Sequence, residues 1–216
     1  MSGDPAVSRA AAAAALGHRR RLPGGAADEL AAAVDGDPDA RVRAAALGAL
    51  VRSGGPRRAM SVWLQAVNDN DARVRRRAAD LAPELATRAG VSDVVSPLVA
   101  LLADADVTVV EAAAWALGEL GTDAVPAEAV ASLATTVTNH GDPIAREAAV
   151  AALGALGHPA GLPAVLAACT DKPPVRRRAV LALAPFSGPN VDAALAAALK
   201  DRDWQVRQAA EDLVQD

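Results

Sequence analysis

Apolar residues along this chain fall into short blocks with helical spacing, and each block closes on Asp, Gly or Pro. The stretch 26–53 shows the pattern most clearly. Leu30 and Val34 stand at i and i+4, on one face of a helix that starts at Ala26. Asp35-Gly36-Asp37-Pro38-Asp39 then breaks the chain. Val42, Ala45, Ala46, Ala49 and Leu50 form the apolar stripe of a second helix, from about 40 to 52, which Ser53-Gly54-Gly55-Pro56 ends. The same pair follows five more times. First helices are predicted over 57–67, 93–103, 126–138, 160–169 and 190–199. Second helices are predicted over 71–87, 106–120, 142–156, 173–186 and 203–215. An isolated second helix, from Asp4-Pro5 to Leu16-Gly17, precedes them.

A short phrase marks each second helix: Asp, a few spacers, a Val-Arg-like pair, then an Ala-rich run. Its arginines are Arg9, Arg43, Arg75, Arg146, Arg176 and Arg207, with Val110 where one more belongs. The intervals are 34, 32, 35, 36, 30 and 31 residues, the period of a stacked helical solenoid. The expectation is an all-α α–α superhelix of about six helix pairs plus an N-terminal half repeat, forming one domain over 1–216. The junction aspartates suit helix N-caps, where a carboxylate accepts orphan backbone N–H groups and meets the positive end of the helix dipole.

Composition agrees with this reading. The chain is 52% hydrophobic but only 2% aromatic, so Ala, Leu and Val must supply the core. The net charge of −4 argues against a general nucleic-acid binder. Twenty arginines against two lysines, Lys172 and Lys200, read as the coding bias of a GC-rich, bacterial genome. Cys169, the single cysteine, lies in an apolar run and reads as a small core residue. No stretch approaches the roughly 20 apolar residues of a membrane helix, and the N-terminal run does not have the order of an export signal, so a cytoplasmic setting is expected.

The phrases Asp39-Ala40-Arg41-Val42-Arg43-Ala44-Ala45, Asp71-Ala72-Arg73-Val74-Arg75-Arg76-Arg77-Ala78-Ala79 and Asp203-Trp204-Gln205-Val206-Arg207-Gln208-Ala209-Ala210 resemble HEAT repeats. The short spacing and the endings Ala116-Leu117-Gly118 and Ala152-Leu153-Gly154 resemble the HEAT-like subclass named after phycobilisome lyases. The resemblance implies that second helices line a concave face of a right-handed superhelix. It also implies that turn aspartates and helix-start arginines tie neighbouring repeats together, through Asp39/Arg43, Asp71/Arg75, Asp142/Arg146, Asp171/Arg176 and Asp203/Arg207. Such a ladder is structural, because a unique functional site would not recur in every repeat.

Function on such a scaffold is expected where the pattern fails. The fourth second helix has Val110 for the ladder arginine, and places Glu111, Trp115 and Glu119 at i, i+4 and i+8 on one face. Asp80, Glu84 and Glu147 occupy corresponding exposed positions in the neighbouring rows. A Trp among carboxylates suits a cationic segment, held by charge and by the ring face. The alternative for these acids is a solvated face with a partly buried Trp. Trp63 reads as core and Trp204, at the start of the last helix, as a cover for the open end of the array. Arg75-Arg76-Arg77, Arg176-Arg177-Arg178, Arg19-Arg20-Arg21 and Arg57-Arg58 read as solvated clusters or a basic rim.

Enzyme signals are thin. His18, His140 and His158 are isolated, with no metal-binding spacing, and no catalytic group or cofactor is expected. The HEAT-like deoxyhypusine hydroxylases carry paired His-Glu motifs for iron, and this chain has none. The expected function is a non-catalytic scaffold binding a protein or peptide with basic residues. Two alternatives are a nucleic-acid-binding or alkylpurine-glycosylase-like repair module, and an accessory subunit of a lyase or oxidoreductase system.

Overall fold

A computed structural model describes residues 4–19 and 22–215. It contains thirteen α-helices and no strand among the described residues. The chain divides into two compact units, Met1–Pro97 and Leu98–Asp216.

The first unit holds α1 (Pro5–Leu16), α2 (Ala26–Gly36), α3 (Ala40–Ser53), α4 (Pro56–Ala66), α5 (Ala72–Ala89) and the start of α6 (Ser92–Leu101). The second unit holds the rest of α6, then α7 (Val107–Glu119), α8 (Ala127–Asn139), α9 (Pro143–Leu156), α10 (Leu162–Ala168), α11 (Pro173–Ala182), α12 (Pro189–Ala198) and α13 (Trp204–Gln215). In each unit the helices stack in two layers. Second helices pack on second helices, α1 on α3 on α5 and α7 on α9 on α11 on α13, while α2 packs on α4 and α8 on α10 on α12. The fold is an all-α solenoid of helix pairs, as the period predicts.

Local chemistry accounts for the helix boundaries. Asp4, Asp39, Asp71, Asp106 and Asp142 each accept the backbone N–H two residues on, so the junction aspartates are N-caps. Asp203 does the same for Gln205, at 2.9 Å. One boundary differs from expectation. The helix predicted over 173–186 stops at Ala182, before Pro185, whose ring removes a donor and disfavours helix at Ala184. A 3-10 turn, Pro159–Gly161, leads into α10.

The core is built from small and branched residues, so close helix approach matters more than large side chains. A Cβ on Gly154 of α9 would lie 2.7 Å from the Ala182 Cα of α11, and one on Gly17 would lie 2.9 Å from the Ala49 Cα of α3. Glycine at these points lets second helices touch backbone to backbone. Trp63 is the one large aromatic wholly inside, and its indole N–H donates to the Ala78 carbonyl at 2.7 Å, which satisfies the polar edge of the ring. Cys169 is half-buried and its thiol donates weakly to the Val165 carbonyl at 3.5 Å. Burial pushes that thiol up to about 11, as befits an inert packing residue.

Candidate functional site

The repeated Asp and Arg residues form a ladder, but with different partners from those the resemblance implies. Arg43 places Nε and Nη2 on the Asp69 carboxylate, at 2.8 and 2.7 Å, and Nη1 on the Asp37 carbonyl of its own turn. Arg146 grips Asp171 at 2.6 and 2.8 Å, and Arg176 grips Asp201 at 2.8 and 2.7 Å, each also reaching a carbonyl of its own turn. Arg9 grips Asp37 in the same manner. Each of these arginines therefore takes its carboxylate from the next repeat, not from the N-cap of its own helix. Asp39, Asp71, Asp142 and Asp203 cap their own helices instead. Asp171 is a rung for Arg146, and offers Arg176 only its carbonyl.

Bidentate guanidinium bonds hold these rung carboxylates below their usual range. Arg9 does so for Asp37, Arg146 for Asp171 and Arg176 for Asp201. At Asp69, burial pushes upward most strongly, but the Arg43 bond and the Asp71 backbone N–H together outweigh it.

The fourth second helix, α7, departs from this scheme twice. Val110 replaces the arginine and is fully buried. The rung position of the following repeat is also changed, to His140, which an inspection of the arginines alone does not reveal. His140 Nδ1 accepts the Asp142 backbone N–H at 3.1 Å, the task that Asp37, Asp69, Asp104 and Asp201 perform in their own turns. The cap is kept and the ion pair is lost on both sides at once. Beside His140 a cleft of about 400 Å³ opens, lined by Val99, Leu102, Ser132, Thr136 and Asn139 among others.

On α7, Glu111, Trp115 and Glu119 are all exposed, Trp115 at 48%. Neither glutamate has a hydrogen-bond or ion-pair partner among the described residues. The helix's other apolar residues are buried from Val109 to Leu117, so Trp115 is the outward exception on an otherwise packed helix. Glu147, on α9, is not free: it is half-buried and lies 3.6 Å from Arg178 of α11. Asp80 and Glu84 stand on α5, in the first unit, half-buried and exposed respectively, where they act electrostatically on Arg77 of the same helix.

The remaining candidates separate by burial. Trp63 is core. Trp204 is 65% exposed, so it covers little at the start of α13. Arg176 is a ladder residue, Arg177 is exposed and Arg178 is paired. Arg57 is exposed and Arg58 pairs with Asp28. Arg19 is exposed, and Arg20 and Arg21 lie outside the described residues. Among the described residues, no group of three or more His, Cys, Asp or Glu is placed to hold a metal ion. Among the described residues, no helix is long and apolar enough to cross a membrane.

Stacked helix pairs joined by a charged ladder define a class of repeat protein. The HEAT-repeat family model matches residues 1–80, 60–138 and 130–214. The chain belongs to the HEAT repeat family. Solved structures share the fold. A designed armadillo repeat protein in complex with the peptide (KR)4 is 19% identical, with a TM-score of 0.62 over 87% of this chain and 97% of that one. The E. coli protein YibA is 17% identical, with a TM-score of 0.63 over 97% and 74%. A computationally designed armadillo repeat protein for modular peptide recognition is 19% identical, with a TM-score of 0.57 over 87% and 98%. No curated protein matches the chain.

Proposed function

We propose that this protein is a non-catalytic scaffold that holds a peptide or protein segment bearing Lys or Arg against α7. The observation that carries the reading is Trp115, exposed between two carboxylates that have no internal partner, on a helix whose other apolar residues are packed away. A cation over the indole face gains quadrupole attraction, and Glu111 and Glu119 supply charge on either side. The designed armadillo protein in complex with (KR)4 supports the reading, because it is a protein of similar fold that binds a basic peptide. Glu147 contributes less than the sequence suggests, because Arg178 already neutralises it. Asp80 and Glu84 add negative potential on α5, where Arg77 offsets part of it.

The continuous repeat register supports treating residues 1–216 as one array. The Ala-Leu-Gly endings support placement in the phycobilisome-lyase-type subclass, the arginine-rich composition supports a bacterial source, and the single cysteine, Cys169, fits a reducing, cytoplasmic setting.

The test is a titration with a fluorescently labelled (Lys-Arg)4 peptide, read by anisotropy and by Trp fluorescence. Trp115→Ala is expected to weaken binding at least tenfold. Glu111→Gln with Glu119→Gln is expected to weaken it and flatten its salt dependence. Unchanged affinity in Trp115→Ala sinks the assignment.

A further inference from the structure

Arg178 and Arg77 occupy the same position in their repeats, two residues after the ladder arginines Arg176 and Arg75. Their surroundings differ. Arg178 reaches back to the preceding second helix and finds Glu147 at 3.6 Å. The position of Glu147 in the repeat before Arg77 is Ala44, so no carboxylate waits there. Arg77 instead lies down over α3, where Gly48 has no side chain to stop it. A Cβ on Gly48 would sit 3.0 Å from Arg77 Nη2, and 3.2 and 3.4 Å from Arg52 Nη2 and Nη1. Two guanidiniums thus converge on one point of the α3 surface.

Neither has an internal counter-charge in contact. Among the described residues, no hydrogen bond or ion pair reaches Arg52 or Arg77, and Arg52 Nε is buried without an acceptor. A buried donor with no acceptor costs stability, and like charges side by side add to that cost, which a counter-anion over the pair would offset in part. Burial and the neighbouring Arg52 hold Arg77 below its usual range, and both outweigh the opposing influence of Asp80 and Glu84. Arg88 Nη2 donates to the Gly54 carbonyl at 2.8 Å, at the end of α3. Ser53 Oγ donates to the Arg19 carbonyl at 2.7 Å, which ties the turn carrying Arg19 to the same helix end.

We propose that Arg52 and Arg77 form a carboxylate-binding site on the α3–α5 face of the first unit, open to an acidic side chain of a bound peptide. A planar carboxylate accepts from the Nη groups of the two guanidiniums that converge over Gly48, and relieves their repulsion. Asp80 and Glu84 stand near enough to repel a polyanion, which favours a single carboxylate over a nucleic-acid backbone. The site is separate from Trp115, and stands or falls independently of the basic-peptide reading.

Nitrogen-15 NMR of the arginine Nε–H groups tests it in the full-length protein. A six-residue peptide with one central Glu is titrated beside its Gln analogue, inorganic phosphate and a single-stranded oligonucleotide. The Glu peptide is expected to shift the Arg52 Nε–H signal saturably, and the Gln peptide is not. Arg52→Gln and Arg77→Gln are expected to weaken binding at least tenfold, while Arg178→Gln leaves it unchanged. Ala44→Glu is the decisive variant. It supplies Arg77 with the partner that Glu147 gives Arg178, so it is expected to abolish peptide binding while keeping or raising the melting temperature. Equal binding by wild type, Arg77→Gln and Ala44→Glu overturns the proposal, as does tighter binding of phosphate or oligonucleotide than of the Glu peptide.

Discussion

Replacing Arg176 by Met removes one rung of the ladder while keeping most of the apolar stem. The Arg176 side chain is 8% exposed and that of Asp201 is 15% exposed. Two charge-assisted bonds, at 2.8 and 2.7 Å, and one to the Asp171 carbonyl, at 2.8 Å, disappear together. The Asp201 carboxylate keeps only the Asp203 backbone N–H, at 2.8 Å, in a setting that water reaches poorly. Breaking one side of such a pair costs about 3 kcal/mol, because an uncompensated charge stays behind. Arg176→Met with Asp201→Asn is expected to cost less than the two single changes together, with a coupling of about 2 kcal/mol. Urea unfolding followed by circular dichroism at pH 7 measures all three. Because stability in stacked repeats sums nearest-neighbour interfaces, hydrogen exchange in α12 and α13 should rise first. The solvent-exposed Arg41–Asp39 pair serves as the control, and Arg41→Ala is expected to cause no measurable loss. A loss below about 1 kcal/mol for Arg176→Met, or simple additivity in the double change, refutes the reasoning.

The same rungs set the acid response. Asp37, Asp69, Asp171 and Asp201 have folded-state values below those of the unfolded chain, so their contribution is fully present above the unfolded carboxylate range. It is lost as pH falls through the folded values; wild type should lose stability below about pH 4, and Arg176→Met should show a shallower dependence there. Gly154→Ala puts a Cβ 2.6 Å from the Ala182 Cβ, and is expected to lower stability by about 1–3 kcal/mol. Gly36→Ala, with nothing within 4 Å of the new Cβ, should gain up to about 1 kcal/mol in the same urea unfolding assay. Cys169 should react with a thiol reagent at pH 8 on the order of 10²-fold more slowly than in urea, because burial suppresses its thiolate. Equal rates would contradict that placement.

Much of the architecture is legible in the sequence because it rests on local signals. The aspartates at 39, 71, 106, 142 and 203 cap helices through bonds spanning two residues, so their identity and spacing suffice. Apolar stripes place the buried faces for the same reason, and the first helix holding Trp63 is recovered with its core residue. The boundary at Ala182 depends on which residue lets Pro185 end the helix, and pattern alone overshoots it by four positions.

The candidate site is legible only in part. Trp115, Glu111 and Glu119 share a face by helical spacing, and the structure leaves that face exposed. Glu147 looks equivalent to them in sequence, yet Arg178, thirty-one residues later, neutralises it. The ladder pairs implied within single repeats differ from those observed for a related reason: Arg9, Arg43, Arg146 and Arg176 each take their carboxylate 25 to 28 residues away.

By itself, then, the sequence determined the helix pairs, their caps, the period and the row at Val110 where the repeat fails. These depend on backbone propensity and on contacts a few residues apart. Only the tertiary structure decided which charges are spent and which are free. That is why Glu147 is paired, why the loss of arginine at Val110 is matched by His140, and why Arg52 and Arg77 meet over Gly48. The physical reason is common to all three: the stacking register of successive helices brings together side chains 25 to 31 residues apart, and no local pattern encodes that register.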